Sequence, residues 1–267
     1  MVLAAGRGER MRPLTDSTPK PLLLVRGKPL MQWTLEALVR GGVARIVVNT
    51  AWLEARITAH FGNHFALKRP SNGREQLSNR EQIPILYSCE GRDFGAALET
   101  AGGIVRALPL LRPPAAQGLQ ADIFWLSACD VFAPDFEFAQ AAVERFAASD
   151  KLAHLWLVPN PAHNPGGDFV MMPGEGDADG VALAIEPAQH DPRRRYTYST
   201  IGLYRRQLFE PPWCDIAYGN PHGVKAALAP LLRKAMGKGL VSAELYHEPW
   251  TDVGTPERLQ RMNGAKP

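Results

Sequence analysis

Short apolar segments alternate with amphipathic segments over residues 1–158, and this alternation constrains the fold more than any other feature of the chain. The segments with the composition of buried strands are residues 1–4, 45–49, 83–87, 123–126 and 152–158. The segments with helical spacing of apolar residues are 29–40, 53–61, 100–108 and 135–146. Strands and helices in alternation predict an α/β fold with a mostly parallel sheet and helices on both faces.

The rest of the chain has a different pattern. Three strands are predicted at residues 168–172, 181–185 and 196–204, and no helix lies between them. They predict a small antiparallel extension of the sheet that forms one wall of a cleft. Helices are predicted at 224–236 and 256–262, and loops at 68–82, 112–121 and 187–195.

Composition excludes several classes of protein. The chain has 267 residues, of which 45% are hydrophobic and 21% charged, as in an ordinary globular domain. The 30 Lys and Arg residues barely exceed the 27 Asp and Glu residues, and no segment has the length and hydrophobicity of a membrane span or the pattern of a signal peptide. The three cysteines lack the spacing of a zinc site or a disulfide framework. We therefore expect a cytoplasmic protein without a nucleic-acid or membrane partner.

A glycine-rich segment follows the first strand directly. Gly6 and Gly8 let the backbone approach a phosphate closely, and successive N–H groups there can bind the anion. Further along, Arg10 offers several donors to phosphate oxygens and Lys20 offers a point charge. The segment lacks the Gly-Lys-Ser/Thr of a Walker loop, and Met11 stands where a dinucleotide fingerprint needs a small residue. The alternative for the two glycines alone is a simple turn.

The segment from Leu3 to Leu22 resembles the signature of the sugar-phosphate nucleotidyltransferases, which are also called nucleoside-diphosphate-sugar pyrophosphorylases. The similarity extends over nearly the whole chain. Residues 98–104 resemble the loop of that family that receives the base and ribose, and residues 250–256 resemble its C-terminal motif. Within the family, the chain is most similar to short bacterial enzymes that act on N-acetylmuramate α-1-phosphate.

The resemblance implies a Rossmann-like three-layer αβα fold with a mostly parallel mixed central sheet. The antiparallel extension would form the sugar side of the cleft. One domain would span residues 1–267, with a nucleotide-binding half at 1–158 and a sugar-binding half at 159–267. We expect no C-terminal β-helix domain, and the sequence is compatible with a monomer.

The implied reaction is attack by a sugar 1-phosphate oxygen on the α-phosphorus of UTP, or of another nucleoside triphosphate, with release of pyrophosphate. The product with N-acetylmuramate α-1-phosphate would be UDP-N-acetylmuramate, made in peptidoglycan recycling. The implied cofactor is Mg²⁺, held by Asp130 at a strand end and by Asp252 in the C-terminal motif. Either aspartate taken alone is more often a helix cap or a surface residue.

The resemblance also assigns residues to three groups. The residues expected to act on the reacting phosphates are Arg10 and Lys20. The residues expected to bind the nucleotide are Leu3, Ala4, Ala5, Gly6, Gly8, Glu9, Arg10, Lys20, Glu90, Thr100 and Gly102. The residues expected to bind the sugar are Glu99, Gly167, Asp168, Arg195 and Ser199.

Four of these assignments have open alternatives. Glu90, predicted to lie in a loop, either accepts from the N3–H of uracil or is an ordinary exposed glutamate. Glu99 either stabilises the start of a helix or contacts a sugar hydroxyl, and Thr100 is a cap, a base contact or both. The arginine run at 193–195 is either a solvated loop or a site for an anionic sugar such as the lactyl carboxylate of muramate.

Two positions depart from the pattern of the enzymes that act on N-acetylmuramate α-1-phosphate. Ala128-Cys129 stand where those enzymes have Asn-Gly, so an amide that could contact the sugar is missing. Thr200 stands where they tend to have glycine. Guanylyl or thymidylyl transfer to mannose, glucose or heptose 1-phosphate is therefore the nearest alternative. A non-catalytic nucleotide-sugar sensor is the alternative from another class, although a sensor would not need both aspartates.

Overall fold

The computed structural model describes residues 1–67, 82–111, 122–173, 182–187 and 193–264. Residues 68–81 of the first predicted loop, the whole loop predicted at 112–121 and residues 188–192 of the third lie outside the described residues. Within those ranges, no helix has the length and hydrophobicity needed to cross a bilayer.

The chain forms two compact units that are interleaved along the sequence. The first unit contains residues 1–97, 128–140 and 251–267, and the second contains residues 98–127 and 141–250. The assignment of nucleotide binding to one half of the chain and of sugar binding to the other stays a prediction.

The helices and strands follow the order predicted from the sequence, with several additional short elements. The strands are β1 (Val2–Ala4), β2 (Leu24–Val25), β3 (Lys28–Pro29), β4 (Ile46–Thr50), β5 (His64–Phe65), β6 (Ile83–Cys89), β7 (Ile123–Ala128), β8 (Val131–Phe132), β9 (Ala153–Val158), β10 (Phe169–Pro173), β11 (Ala182–Ile185), β12 (Arg195–Arg205), β13 (Val241–Leu245) and β14 (Thr251–Asp252). The α-helices are α1 (Leu14–Ser17), α2 (Leu30–Arg40), α3 (Glu54–Phe61), α4 (Glu90–Phe94), α5 (Glu99–Leu111), α6 (Gln140–Ala148), α7 (Leu228–Met236) and α8 (Pro256–Gly264).

The first unit is built on three parallel strands. β4 pairs in parallel with β1 on one side and with β6 on the other, and β5 pairs antiparallel with β6. All five residues of β4 are buried, which is typical of a central strand covered on both faces. A separate antiparallel pair joins β8 to β14.

The helix predicted at residues 29–40 is confirmed as α2. Leu30, Leu35 and Leu38 of this helix are at most 2% exposed, as the helical spacing of its apolar residues predicts. The helix ends at Arg40 and is followed by Gly41, where a Cβ would overlap the carbonyl oxygen of Phe138.

A cluster of buried apolar side chains in this unit lies next to the charged residues that the sequence analysis singled out. The cluster consists of Met11, Leu23, Val25, Leu30, Phe132, Val253 and Leu259. Phe132 and Val253 follow Asp130 and Asp252 closely in the sequence, so packing of the cluster fixes the backbone that carries both aspartates.

The second unit contains the antiparallel strands. Its strand order is β10-β11-β13-β9-β12-β7, and all these pairs are antiparallel except β13 with β9. The three strands predicted without intervening helices are therefore confirmed as antiparallel. β13 was missed in the sequence analysis, although its parallel pairing with β9 follows from the helix α7 that precedes it.

Two predicted helices begin later than expected. The helix predicted from residue 135 begins at Gln140, because Phe136 and Phe138 are core residues of a segment without regular secondary structure, with ring centroids 4.8 Å apart. The helix predicted from residue 224 begins at Leu228. Before it, the carbonyl of Ala226 accepts from the N–H groups of Ala101 and Gly102 at 2.8 and 3.1 Å, so it is not available for a helical hydrogen bond.

Strand β12 contains an irregularity between Tyr198 and Gly202. Thr200 at its centre has φ = 63°, in the left-handed region that is costly for a β-branched residue. Its hydroxyl oxygen is buried without a hydrogen-bond partner among the described residues. A glycine here would avoid both costs.

We expect Thr200→Gly to stabilise the fold by about 1 kcal/mol, after allowing for the greater flexibility of glycine in the unfolded chain. Urea denaturation should show a higher midpoint. The matched control is Thr197→Gly in the same strand, which should destabilise, because the Thr197 hydroxyl donates to Asn160 Oδ1 at 3.0 Å. A lower midpoint for Thr200→Gly would contradict the expected relief of strain.

Arg205, at the end of β12, caps the C-terminus of α6. Its Nε donates to the carbonyl of Lys151 at 2.8 Å. Its Nη2 donates to the carbonyls of Phe146, Ala147 and Ser149 at 2.9, 3.0 and 2.8 Å. The last carbonyls of a helix have no donor within the helix and carry partial negative charge, so a guanidinium is well suited to this position.

Arg205→Gln should cost about 2 kcal/mol of stability, because hydrogen bonds to a charged donor are lost and carbonyls are left without donors. The free energy of unfolding in urea measures this loss. Lys238→Gln, at an exposed position of the same unit, is the control and should change little. An Arg205→Gln variant as stable as the control would show that water replaces the guanidinium fully.

Candidate active site

A largely buried ion pair joins the glycine-rich segment to Asp130 of the same unit. Lys20 Nζ donates to Asp130 Oδ2 at 2.6 Å, between residues 110 apart in the sequence. The Lys20 side chain is only 10% exposed, whereas that of Asp130 is 29% exposed, so the carboxylate remains open to solvent. Next to Asp130, the N–H of Cys129 donates to the carbonyl of Leu3 at 3.0 Å and thereby connects this segment to β1.

The glycine-rich segment is held by its own side chains. Gly8 has φ = 68°, and a Cβ there would lie 3.0 Å from Thr15 Cγ2 and 3.4 Å from Lys20 Cβ. The Thr15 hydroxyl donates to the Gly8 carbonyl at 2.8 Å. Around Gly6, by contrast, no described atom lies within 4 Å of an added Cβ, so the space there is open. Gly8 shapes the segment, and Gly6 leaves room beside it.

Backbone groups at the end of β1 already have partners within the unit. Ala4 and Ala5 are buried, at 2% and 7% exposed, and Leu3 is half-buried. The Leu3 carbonyl accepts from the N–H of Cys129, and the N–H of Ala4 donates to Asn49 Oδ1 at 2.9 Å. A contact of these three residues with a nucleotide stays a prediction.

Arg10 and Glu9 are both exposed, on a 3₁₀ turn that follows Gly8. The structure adds Arg7, which the sequence analysis did not single out. The Arg7 guanidinium lies 3.9 Å from the centre of the Trp52 ring, and Trp52 Nε1 donates to the Thr15 carbonyl at 2.9 Å. This stacking fixes a cation beside the glycines. The signal in the sequence was an arginine placed between two glycines.

Asp252 also pairs with a cation of the chain. Its Oδ1 accepts a hydrogen bond from Arg258 Nη1, and the two side chains are 20% and 11% exposed. Within the β8–β14 pair, Asp252 lies opposite Val131, and the N–H of Val253 donates to the Asp130 carbonyl at 2.8 Å. The backbone thus places the two aspartates on adjacent segments. Arg258 was not predicted, since a charged residue in the first turn of a helix has no distinctive signal.

Glu90 is fully buried at the start of α4 rather than exposed in a loop. Its Oε1 accepts from Asn49 Nδ2 at 2.7 Å, and Asn49 Oδ1 accepts from the N–H of Ala4 at 2.9 Å. The alternative of an ordinary exposed glutamate is therefore wrong. Through Asn49, Glu90 positions the end of β1 just before the glycines, and its contact with a base stays a prediction.

Cys129 has no sign of nucleophilic activation. It is 6% exposed, and burial, followed by the charge of Asp130, raises the pKa of its thiol far above the ordinary value. Together with Ala128 it replaces an amide with two small apolar groups.

Gly102, in the second unit, has a packing explanation. A Cβ there would overlap the carbonyl oxygen of Val224. The N–H of Gly102 donates to the Ala226 carbonyl at 3.1 Å, and its carbonyl accepts from Asn220 Nδ2 at 3.1 Å. The absence of a side chain at Gly102 therefore lets residues 224–226 of the same unit pack against it. A nucleotide contact of Gly102 stays a prediction.

The residues beside Gly102 are more accessible. Glu99 is exposed and begins α5 with φ = 60°, and Thr100 is half-buried. Both positions leave their side chains able to reach a ligand, so the alternatives for Glu99 and Thr100 remain open.

The predicted sugar-binding residues Gly167 and Asp168 hold the segment before β10. Asp168 Oδ2 accepts from the N–H of Tyr198 at 2.8 Å, and Oδ1 accepts from Asn164 Nδ2 at 3.2 Å. A Cβ at Gly167, where φ is 62°, would lie 2.7 Å from Asn160 Oδ1. Both residues therefore have structural partners, and sugar contacts for them stay a prediction.

Ser199 is fully buried in β12, so its hydroxyl is not on the surface. Its Oγ accepts from the N–H of Ile201 at 3.1 Å, and its carbonyl accepts from Trp250 Nε1 at 3.1 Å. Arg195 begins the same strand and is half-buried, while Arg194 lies 5.1 Å from the Tyr196 ring. Sugar contacts for Ser199 and Arg195 stay predictions.

Comparison with known proteins covers the whole chain. A family model described as nucleotidyl transferase matches residues 1–266. The chain is 39% identical to the N-acetylmuramate alpha-1-phosphate uridylyltransferase of Neisseria meningitidis serogroup B, with 99% of this chain and 98% of that one covered. It is 36% identical to the Caulobacter vibrioides enzyme of the same name, with 96% and 92% covered.

The fold is also found in a solved structure. A Bacillus anthracis protein described as a glucose-1-phosphate thymidylyltransferase, in complex with a sucrose, matches 98% of this chain with a TM-score of 0.68 and 17% identity. That likeness shows the fold alone, and it confirms the predicted α/β architecture with a mixed sheet. On the match of the family model and the two relatives, the chain belongs to the nucleotidyl transferase family.

Proposed function

We propose that this protein transfers a uridylyl group from UTP to a sugar 1-phosphate, with N-acetylmuramate α-1-phosphate as the acceptor. The observation that carries the proposal is the Lys20–Asp130 ion pair, which lies beside a glycine-rich segment with open space at Gly6. Two relatives matched over nearly their full length are named for this activity. The cysteines at 89, 129 and 214 are free thiols, which suits the cytoplasmic location that we include in the proposal.

The chemistry requires positioning and charge neutralisation rather than a nucleophile of the protein. An oxygen of the acceptor phosphate forms a bond to the α-phosphorus, and the bond from that phosphorus to the bridging oxygen breaks. Pyrophosphate leaves with the bonding electrons. Lys20, Arg10 and the N–H groups near Gly6 and Gly8 would bind the triphosphate and offset the charge that develops on the leaving group.

The side chains present fit Mg²⁺, which prefers carboxylate and phosphate oxygens. Asp130 and Asp252 lie on adjacent segments, and both carboxylates are partly exposed. The described part of the chain has no group of three or more His, Cys, Asp and Glu side chains that could hold a metal. Asp130 and Asp252 would therefore hold the ion together with substrate phosphates and water, as Mg²⁺ sites commonly do. Mg²⁺ bound there would neutralise phosphate charge.

One observation favours a second class of acceptor. Ala128 and the buried Cys129 offer no amide to the sugar at the position where muramate enzymes have one. Mannose, glucose or heptose 1-phosphate, with GTP or dTTP as the donor, is therefore the alternative.

We expect pyrophosphate release to require UTP, N-acetylmuramate α-1-phosphate and Mg²⁺ together. The rate with UTP should exceed that with GTP, CTP or dTTP by at least about tenfold, because contacts to the base would be lost. The measurement is a coupled pyrophosphate assay across the four nucleotides and several sugar 1-phosphates. No turnover with any pair, together with nucleotide binding by calorimetry, would favour a sensor instead.

Asp130→Asn should keep the fold and lower Mg²⁺-dependent turnover by about 100-fold or more, the order seen when one electrostatic group is removed from a site of this kind. The variant keeps the shape of the side chain but removes the charge that pairs with Lys20. Asp135→Asn, an exposed position in the same unit, is the control. Circular dichroism checks the fold, and normal turnover in Asp130→Asn would remove this residue from the site.

A further inference from the structure

We infer that Arg258 is a positioning residue that occupies the Asp252 carboxylate in the free protein and thereby keeps its affinity for divalent cations low until a nucleotide is bound. This inference rests on the proposed function, because it concerns the cation site assigned there. Arg258 itself carries no role in that proposal.

Arg258 is in direct contact with the Asp252 carboxylate. Its Nη1 donates to Asp252 Oδ1, and the two side chains are only 11% and 20% exposed. An ion pair shielded from water is much harder to separate than one on the surface, because each charge left alone would be poorly solvated. A divalent cation that binds Asp252 must therefore compete with the guanidinium for this carboxylate.

Gly254 lies between the two residues in the sequence. A Cβ at Gly254 would lie 2.5 Å from Arg258 Nη2 and 3.1 Å from Asp252 Oδ2. The backbone at Gly254 is not in the left-handed region, so conformational freedom does not explain this glycine. The absence of a side chain leaves the space that the end of the guanidinium fills beside the carboxylate.

The charges of the two aspartates are already balanced by cations of the chain. Lys20 pairs with Asp130 and Arg258 pairs with Asp252, so each aspartate is already neutralised by a cation of the chain. A divalent cation entering such a site adds two positive charges that nothing in these two pairs offsets. A bound triphosphate supplies the missing negative charge. The cation should therefore bind tightly only in the company of the nucleotide.

Arg258 is a better position for a test than Lys20. Lys20 is also expected to bind phosphate, so removing it would disturb nucleotide and cation together. Arg258 can be changed without removing a group of the proposed reaction. The free protein without nucleotide is the state in which its effect is largest.

The experiment measures binding of Mn²⁺, as a spectroscopic substitute for Mg²⁺, to the full chain without nucleotide, from the electron paramagnetic resonance signal of the free ion. Arg258→Gln should bind Mn²⁺ about tenfold more tightly than the unchanged protein, because the carboxylate is no longer occupied. Arg258→Lys, which keeps a cation, should stay near the unchanged protein. Arg261→Gln, exposed on the same helix, is the matched control.

The double variant Arg258→Gln with Asp252→Asn locates the effect, since the gain in affinity should disappear there. Gly254→Ala is a second route, because it crowds the guanidinium without removing it, and it should also tighten Mn²⁺ binding. If Arg258→Gln does not fold by circular dichroism, Gly254→Ala decides the question alone. Affinity that is unchanged or weaker in the deciding variant, or a gain that survives in the double variant, overturns the inference.

Failure of this inference is distinguishable from failure of the proposed function. If the unchanged protein turns over but the variants do not bind Mn²⁺ more tightly, only the role of Arg258 is contradicted. If the variants bind Mn²⁺ more tightly but no sugar 1-phosphate is turned over, the proposed function is contradicted and the role of Arg258 stands.

Discussion

The ion pair between Lys20 and Asp130 is the contact on which the candidate site depends. It joins the glycine-rich segment to Asp130, which lies 110 residues further along the chain, and it keeps a largely buried cation next to a partly exposed carboxylate. A charge with so little exposure as that of Lys20 needs a hydrogen-bond acceptor close by, so the contact fixes the two segments to one another. The same requirement applies at Asp252, where Arg258 is the partner.

Buried polar groups and apolar packing hold the segments that carry Lys20, Asp130 and Asp252. The side-chain amide of Asn49 accepts from the N–H of Ala4 and donates to Glu90. Glu90, which the sequence assigned to the base, therefore positions the first strand through Asn49. The apolar cluster that includes Phe132 and Val253 holds the backbone next to each aspartate. The charged residues thus lie on well-packed segments. A reaction that depends on positioning requires such rigid support.

Membership of the nucleotidyl transferase family and the geometry of the first unit point to the same chemistry. Phosphoryl-group transfer of this type needs cations and oxygen ligands in fixed places, and the structure has both without an activated nucleophile at Cys129. Two glycines of the second unit that were assigned to ligands have packing explanations. Gly102 and Gly167 each make room for a side chain or carbonyl of their own unit.

Local periodicity and residue type are enough to predict the alternation of strands and helices, the antiparallel character of the later strands and the glycine-rich segment with Lys20. The tertiary structure sets the start of two helices: residues 135–139 and 224–227 are not helical, since contacts of Phe138 and Ala226 outweigh helix propensity there. It also decided that Glu90 is buried and that Arg258 pairs with Asp252. Burial and ion pairing depend on which segments the fold brings together, and spacing along the chain does not contain that information.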